Sequence, residues 1–189
     1  MRIVGGQWRG RRLAGPRGEG IRGGIRPTSD RLREAVFNVL THAYDDAVEG
    51  AAVLDLFAGT GALAFEALSR GAASALLVDD GREAGGLIRD NLAALDGGAR
   101  ARLICRDATR LGPSADPPAT LVFCDPPYGK GLAPAALTAA ARGGWLAMSA
   151  LVLVEEVASA GPVLPEGSFR ELERRAYGET AVTFARFEG

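Results

Sequence analysis

The tetrapeptide Asp125-Pro126-Pro127-Tyr128 closes an apolar run, residues 119–124, and joins an acid, two stiff residues and an aromatic ring in one short loop. Consecutive prolines cannot continue a hydrogen-bonded ladder, so the chain must leave its sheet here, at the carboxyl end of a strand. That edge is where open α/β sheets bind their ligands. The Asp125 carboxylate and the Pro126 carbonyl can accept the hydrogens of an exocyclic amine, draw its nitrogen towards sp³ geometry and stabilise the charge that develops on it. Pro127 stiffens the loop, and Tyr128 can stack on a base, worth roughly 1–3 kcal/mol.

A second group of residues precedes it. The apolar run 52–56 contains Asp55, and the turn Phe57-Ala58-Gly59-Thr60-Gly61 follows before helical periodicity begins at Ala62. Gly59 and Gly61 let the turn close and let a ligand lie against bare backbone, beside the electropositive start of the helix. A further strand, 73–78, ends at Asp79, eighteen residues beyond Gly61, where a βαβ nucleoside site places its ribose-binding acid. Phe57, Ala58, Gly59, Gly61, Asp79 and the adjacent Asp80 are therefore the candidate contacts of a nucleoside pocket. Asp55 either receives the amino group of an amino-acid moiety or caps the turn. Asp107, followed by Ala108, stands just past a third strand at 101–105; it either accepts from an adenine amino group or caps the short turn at 108–111.

Elements in sequence order must hold these groups. Arg2 to Val4, Gly5-Gly6 and Gln7 to Leu13 read as a hairpin, and 14–25 as a glycine-rich linker. A helix follows from about residue 31, capped by Thr28 or Ser29, with Leu32, Val36, Val39 and Leu40 on one face. Helices are expected at 62–70, 82–95 and 132–142, strands at 119–124 and 150–155, and a closing antiparallel hairpin at 169–176 and 180–187. Strand and helix in alternation give an α/β fold with a mostly parallel, seven-stranded sheet, its terminal strand reversed. The expected division is residues 1–25 as arm and linker and 26–189 as the main domain.

Composition narrows the function. Hydrophobic residues make up 47% of the 189-residue chain, yet no apolar stretch is long enough to span a membrane, and no signal peptide is recognised. A cytoplasmic monomer is the expectation. His42 is the single histidine and Cys105 and Cys124, nineteen positions apart, form no CxxC, so neither a histidine triad nor a metal site is predicted. The net charge of −1 conceals an asymmetry: residues 1–33 carry nine arginines against two acids, net +7, and the remainder carries −8. A basic arm on an acidic body points to a polyanionic partner. Arg2, Arg9, Arg11 and Arg12 in the arm and Arg26, Arg31 and Arg33 at the helix entry are the candidate phosphate contacts. Trp8, among arginines, either stacks on an unpaired base or anchors the hairpin to the body.

The segment D-L-F-A-G-T-G at 55–61 resembles motif I of class I S-adenosyl-L-methionine (AdoMet) methyltransferases, and D-P-P-Y at 125–128 is similar to motif IV of amino-methyltransferases. With R-I-V-G-G-Q-W-R-G-R at 2–11, R-P-T-S-D-R-L-R-E at 26–34 and A-L-S-R-G-A at 67–72, the chain resembles the RsmD family of bacterial 16S rRNA guanine-N2 methyltransferases along nearly its whole length. The resemblance implies a class I Rossmann-like fold, AdoMet as donor, N2-methylguanine as product and 16S rRNA, within a small subunit or its assembly particle, as partner. Two departures stand out: Asp79-Asp80-Gly81 lacks the later acid of an acid-x-acid pattern, and Arg22-Gly23-Gly24 lengthens the linker. The competing readings are a DNA adenine-N6 methyltransferase and a non-catalytic RNA-binding module.

Overall fold

The computed structural model describes residues 1–16, 29–95 and 99–189; the linker from 17 onward and Arg26 lie outside them. In chain order the elements are α1 (Asp30–Ala43), β1 (Ala52–Leu56), α2 (Ala62–Ser69), β2 (Ser74–Asp79), α3 (Arg82–Ala94), β3 (Ala101–Cys105), a 3₁₀ turn (Ala108–Arg110), β4 (Ala119–Cys124), α4 (Leu132–Arg142), β5 (Leu146–Val157), β6 (Phe169–Tyr177) and β7 (Thr180–Phe187). The seven strands form one sheet in the order β3-β2-β1-β4-β5-β7-β6. β1 to β5 run parallel, and β7 inserts antiparallel between β5 and β6. This is the α/β class I methyltransferase architecture with a reversed strand.

Strand alternation sorts the core into two layers. Val53, Leu77, Phe123, Leu153 and Phe184 face α1, α2 and α3, whereas Leu54, Val78, Cys124, Val154 and Ala185 face α4 and the 3₁₀ turn. Ser29 caps α1, its hydroxyl accepting from the Leu32 amide at 3.1 Å. β5 runs longer than the expected 150–155: the exposed Met148 and Ser149 interrupt the apolar pattern between the buried Leu146 and the buried run from Ala150. No helix of the described residues is long and apolar enough to cross a membrane.

The basic arm is built into this body. Arg2 and Arg12 pair in an antiparallel bridge, and Ile3 and Leu13 are buried in the core beside α1 and α2. The hairpin tip rests on the end of α2: the Gln7 amide donates to the Ser69 carbonyl at 2.7 Å, and the Ser69 hydroxyl donates to the Gly5 carbonyl at 2.6 Å. A Cβ at Gly6 would stand 1.8 Å from the Ser69 carbonyl oxygen, and φ there is +71°, so only glycine fits.

Candidate active site

Four acids from the carboxyl ends of β1 to β4, or the residues just past them, gather along one edge of the sheet. The turn after β1 is tightly curled, with φ of +60° at Phe57, +57° at Gly59 and +77° at Gly61. A Cβ at Gly61 would lie 2.4 Å from the Phe65 ring, so packing as well as dihedral reserves that position for glycine. The Ala58 amide donates to the Val78 carbonyl at 3.0 Å, tying the turn to β2. Asp79 then bridges two segments: one carboxylate oxygen accepts from the Gly59 amide and the other from the Gly81 amide, each at 2.8 Å. Burial raises its pKa despite those two amides, and the charge of Asp80 adds to the rise. A half-buried carboxylate with lone pairs beyond the two in use suits the hydroxyl donors of a ribose, and the neighbouring Asp80 is exposed.

For Asp55 and Asp107 the structure displays the capping alternative. Asp55 is 1% exposed and accepts from the Ala64 amide, in the first turn of α2, at 3.2 Å. Burial, reinforced by the Asp79 charge and opposed by that amide, pushes its pKa up to about 7. One Asp107 oxygen accepts from the Thr109 hydroxyl at 2.7 Å and the Thr109 amide at 2.8 Å, which hold its pKa below the usual carboxylate range. Ala108 packs into the core on the α4 side.

The Asp125–Tyr128 loop leaves β4 beside this turn. The Asp125 amide donates to the Leu56 carbonyl at 3.3 Å, linking it to the end of β1. Pro126 is buried and Pro127 exposed, while Asp125 and Tyr128 are half-buried. The Tyr128 hydroxyl donates to Glu155 at 2.6 Å and stands 3.2 Å from the Thr180 hydroxyl. Asp125 and Glu155 share a small hollow with Val36, Leu63, Phe123 and Leu153. The hollow has room for about one water molecule, so its walls are core packing beneath the loop. Val36 and Leu63 are helix core, as the sequence reads them; Glu155 was passed over as a strand end, although two successive acids closing an apolar strand gave the signal.

The arm divides its arginines. Arg9, Arg11, Arg12 and Arg31 are exposed, and Arg2 is exposed 3.7 Å from Asp30. Arg33 departs from the expectation that it faces a phosphate: it is 0% exposed and donates to the Asp30 carboxylate at 2.7 Å and to the Arg2 carbonyl. The reason is helical geometry, which puts residue 33 on the same face as the fully buried Phe37 and Leu40. Trp8 is half-buried, packs against the core and has the Arg100 guanidinium 5.1 Å from its ring centroid, the anchoring alternative. Three polar residues that the sequence did not single out hold the arm. Glu66, fully buried, accepts from the Val4 amide at 2.8 Å and from Arg70 at 2.7 Å. The Ser69 hydroxyl accepts from the Trp8 amide at 2.9 Å. Asn91 accepts from the Ala14 amide at 2.6 Å and donates to the carbonyls of Ala14 and Thr60, joining the arm to the turn after β1.

Residues 1–186 match the family described as conserved hypothetical protein 95. The chain is also 39% identical, over 95% of its length and 93% of the relative's, to the ribosomal RNA small subunit methyltransferase D of Escherichia coli K12. The chain belongs to the RsmD family. A Haemophilus influenzae protein of the same name is 33% identical over 88% of this chain and 83% of its own. Among solved structures, the putative methyltransferase yhhF from Escherichia coli superposes with a TM-score of 0.82 at 36% identity, covering 100% of this chain and 98% of that one. A putative RNA methyltransferase from Pyrococcus horikoshii, at 18% identity, a TM-score of 0.70 and 93% coverage of both chains, shares the fold.

Proposed function

We propose that this RsmD-family protein transfers a methyl group from AdoMet to the exocyclic N2 of a guanine in 16S rRNA, acting as a cytoplasmic monomer on a small-subunit particle. The observation that carries the reading is the Asp125–Tyr128 loop at the carboxyl end of β4, tied by Asp125 to the end of β1 and adjoining the glycine turn braced by Asp79. The relatives' name supports the rRNA substrate.

AdoMet, when bound, supplies a methyl group activated by its positive sulfur. The chain's residues hold and orient. Gly59, Gly61 and the neighbouring Phe57 and Ala58 offer backbone at the start of α2, and Asp79 offers acceptors to ribose hydroxyls. Asp55 keeps the turn in shape through Ala64 rather than meeting the ligand first. At the acceptor, the amine lone pair of guanine is delocalised into the ring. Asp125 and the Pro126 carbonyl accept its two hydrogens, which localises that lone pair and offsets the charge formed as the methyl arrives. Tyr128 supports the base. The exposed arginines of the arm and Arg31 meet phosphates, and the buried Arg33 positions the arm.

The deciding experiment incubates the protein and AdoMet with small-subunit particles and with DNA, digests each to nucleosides and weighs the products. N2-methylguanosine from 16S rRNA is expected, and Asp125→Ala should lower turnover by roughly 10²–10⁴ with AdoMet affinity nearly unchanged. N6-methyladenine in DNA would replace this reading with the DNA one; absence of both AdoMet binding and turnover would favour a non-catalytic module.

A further inference from the structure

We infer that Glu155 and Glu156 are positioning residues that clamp the Asp125–Gly129 loop from the two faces of the sheet, Glu155 through the Tyr128 hydroxyl and Glu156 through the Gly129 amide. The inference rests on the proposed function for its catalytic meaning and on geometry for its existence. Pro126 and Pro127 have no N–H, so from the Asp125 amide to that of Tyr128 the loop has no backbone donor with which to fasten itself. Its upstream end is fixed by the Asp125 amide on the Leu56 carbonyl. Its downstream end needs acceptors from elsewhere.

β5 supplies them. Leu151 to Val154 are buried and apolar, and the next two residues are acids that stay buried, at 8% and 5% exposure. Burying a carboxylate is costly unless donors meet it. Alternation along the strand turns Glu155 towards the α1 side, with Leu153 and Val182, and Glu156 towards the opposite face. Glu155 accepts from the Tyr128 hydroxyl at 2.6 Å; Glu156 accepts from the Gly129 amide at 3.2 Å and the Val157 amide at 2.9 Å. A phenol has one proton, and here it goes to a carboxylate that can only accept. The Thr180 hydroxyl, 3.2 Å away, therefore donates to the phenol oxygen, so β7 steadies the same ring. Burial first, and the Glu155 carboxylate second, raise the Tyr128 pKa well beyond neutrality, which keeps the phenol a donor. Adjacent residues on one strand thus hold adjacent residues of the loop from opposite sides, and Asp125 and the Pro126 carbonyl are suspended between two fixed ends.

The test combines a mutant cycle with an amide measurement. Glu155→Ala should lower kcat by up to about 100-fold, the scale of an ångström of misplacement, while calorimetry finds AdoMet affinity unchanged. Tyr128→Phe should lose a similar factor, and the double variant little more, because the two residues act as one unit. Glu155→Gln, whose amide oxygen still accepts, should recover most of the rate. It also carries the test with Tyr128→Phe should the alanine variant unfold. Losses that multiply in the double variant, or an unchanged kcat in Glu155→Ala, overturn the Glu155 arm. Hydrogen exchange followed by NMR reads the other arm without any methyl acceptor: Gly129 should be protected in the wild type and lose protection in Glu156→Ala. An unchanged Gly129 rate overturns the clamp. Lost protection in a protein that methylates no rRNA would leave the clamp standing and remove the proposed function.

Discussion

Asp55→Asn isolates one buried carboxyl whose surroundings change its proton affinity. Asp55 is 1% exposed, and its pKa rises from the ordinary 3.8 to about 7 in the folded chain. Between those values the native state holds a proton that the unfolded state has released, so the contribution to stability is fully present below about pH 4 and is lost as the pH rises through about 7. About three decades of proton affinity at ~1.4 kcal/mol each come to roughly 4 kcal/mol over the full range, of which about 3 falls between pH 5 and pH 8. Asparagine keeps an oxygen to accept from the Ala64 amide and does not ionise. Urea unfolding of both proteins at pH 5, 6, 7 and 8 therefore yields a stability difference that moves in favour of the variant by about 3 kcal/mol as pH rises, and all other titrations cancel in that difference. A difference that stays level within about 0.5 kcal/mol would refute the argument, and would mean that the ionised carboxylate is as well accommodated beneath α2 as the neutral acid.

Asp79→Ala should weaken AdoMet by roughly 1–3 kcal/mol in calorimetry, through lost ribose acceptors and a loosened Gly59 turn; unchanged affinity would move the ribose to Asp80. Trp8→Ala should cost about 1–2 kcal/mol in thermal or urea unfolding, because its ring packs on the core and under Arg100, whereas a loss of RNA affinity at constant stability would restore the stacking role. Replacing Arg9, Arg11 and Arg12 with alanine should flatten the slope of log K against log salt by up to about 0.9 for each duplex phosphate contact removed, with AdoMet binding untouched. An unchanged slope would make those arginines solvated ornaments of the arm.

Local pattern carried most of the architecture. The helix at 132–142 and the strands at 101–105 and 119–124 coincide with their observed bounds, since apolar runs and breakers lie within the segments themselves. The prolines at 126–127 announced where the chain leaves the sheet, and Gly59 and Gly61 announced the turn. The two-way readings of Asp55, Asp107 and Trp8 stay open in the sequence, because a cap or anchor and a ligand contact ask the same residue type of the same place. Glu66, Ser69 and Asn91 escaped notice for another reason: their partners are 61 to 77 residues distant, and a polar residue on a helix gives no local sign that it will meet backbone from the amino terminus. Arg33 misled because charge is visible in a sequence while the arm that covers it is not.

Those distances also set an order of events on the ribosome. The hairpin is translated well before Glu66, Ser69 and Asn91, the residues that receive it. At ~5–20 residues per second, the 77 residues between Ala14 and Asn91 take about 4–15 s to add. Through that interval Ile3, Leu13 and the arginines around them form a nascent basic segment with its apolar side chains uncovered, next to the polyanionic RNA of the machine that is making it. Docking of the hairpin therefore waits until about half of the 189-residue chain has been made, and it reaches the turn after β1, through Thr60, only when α3 has emerged.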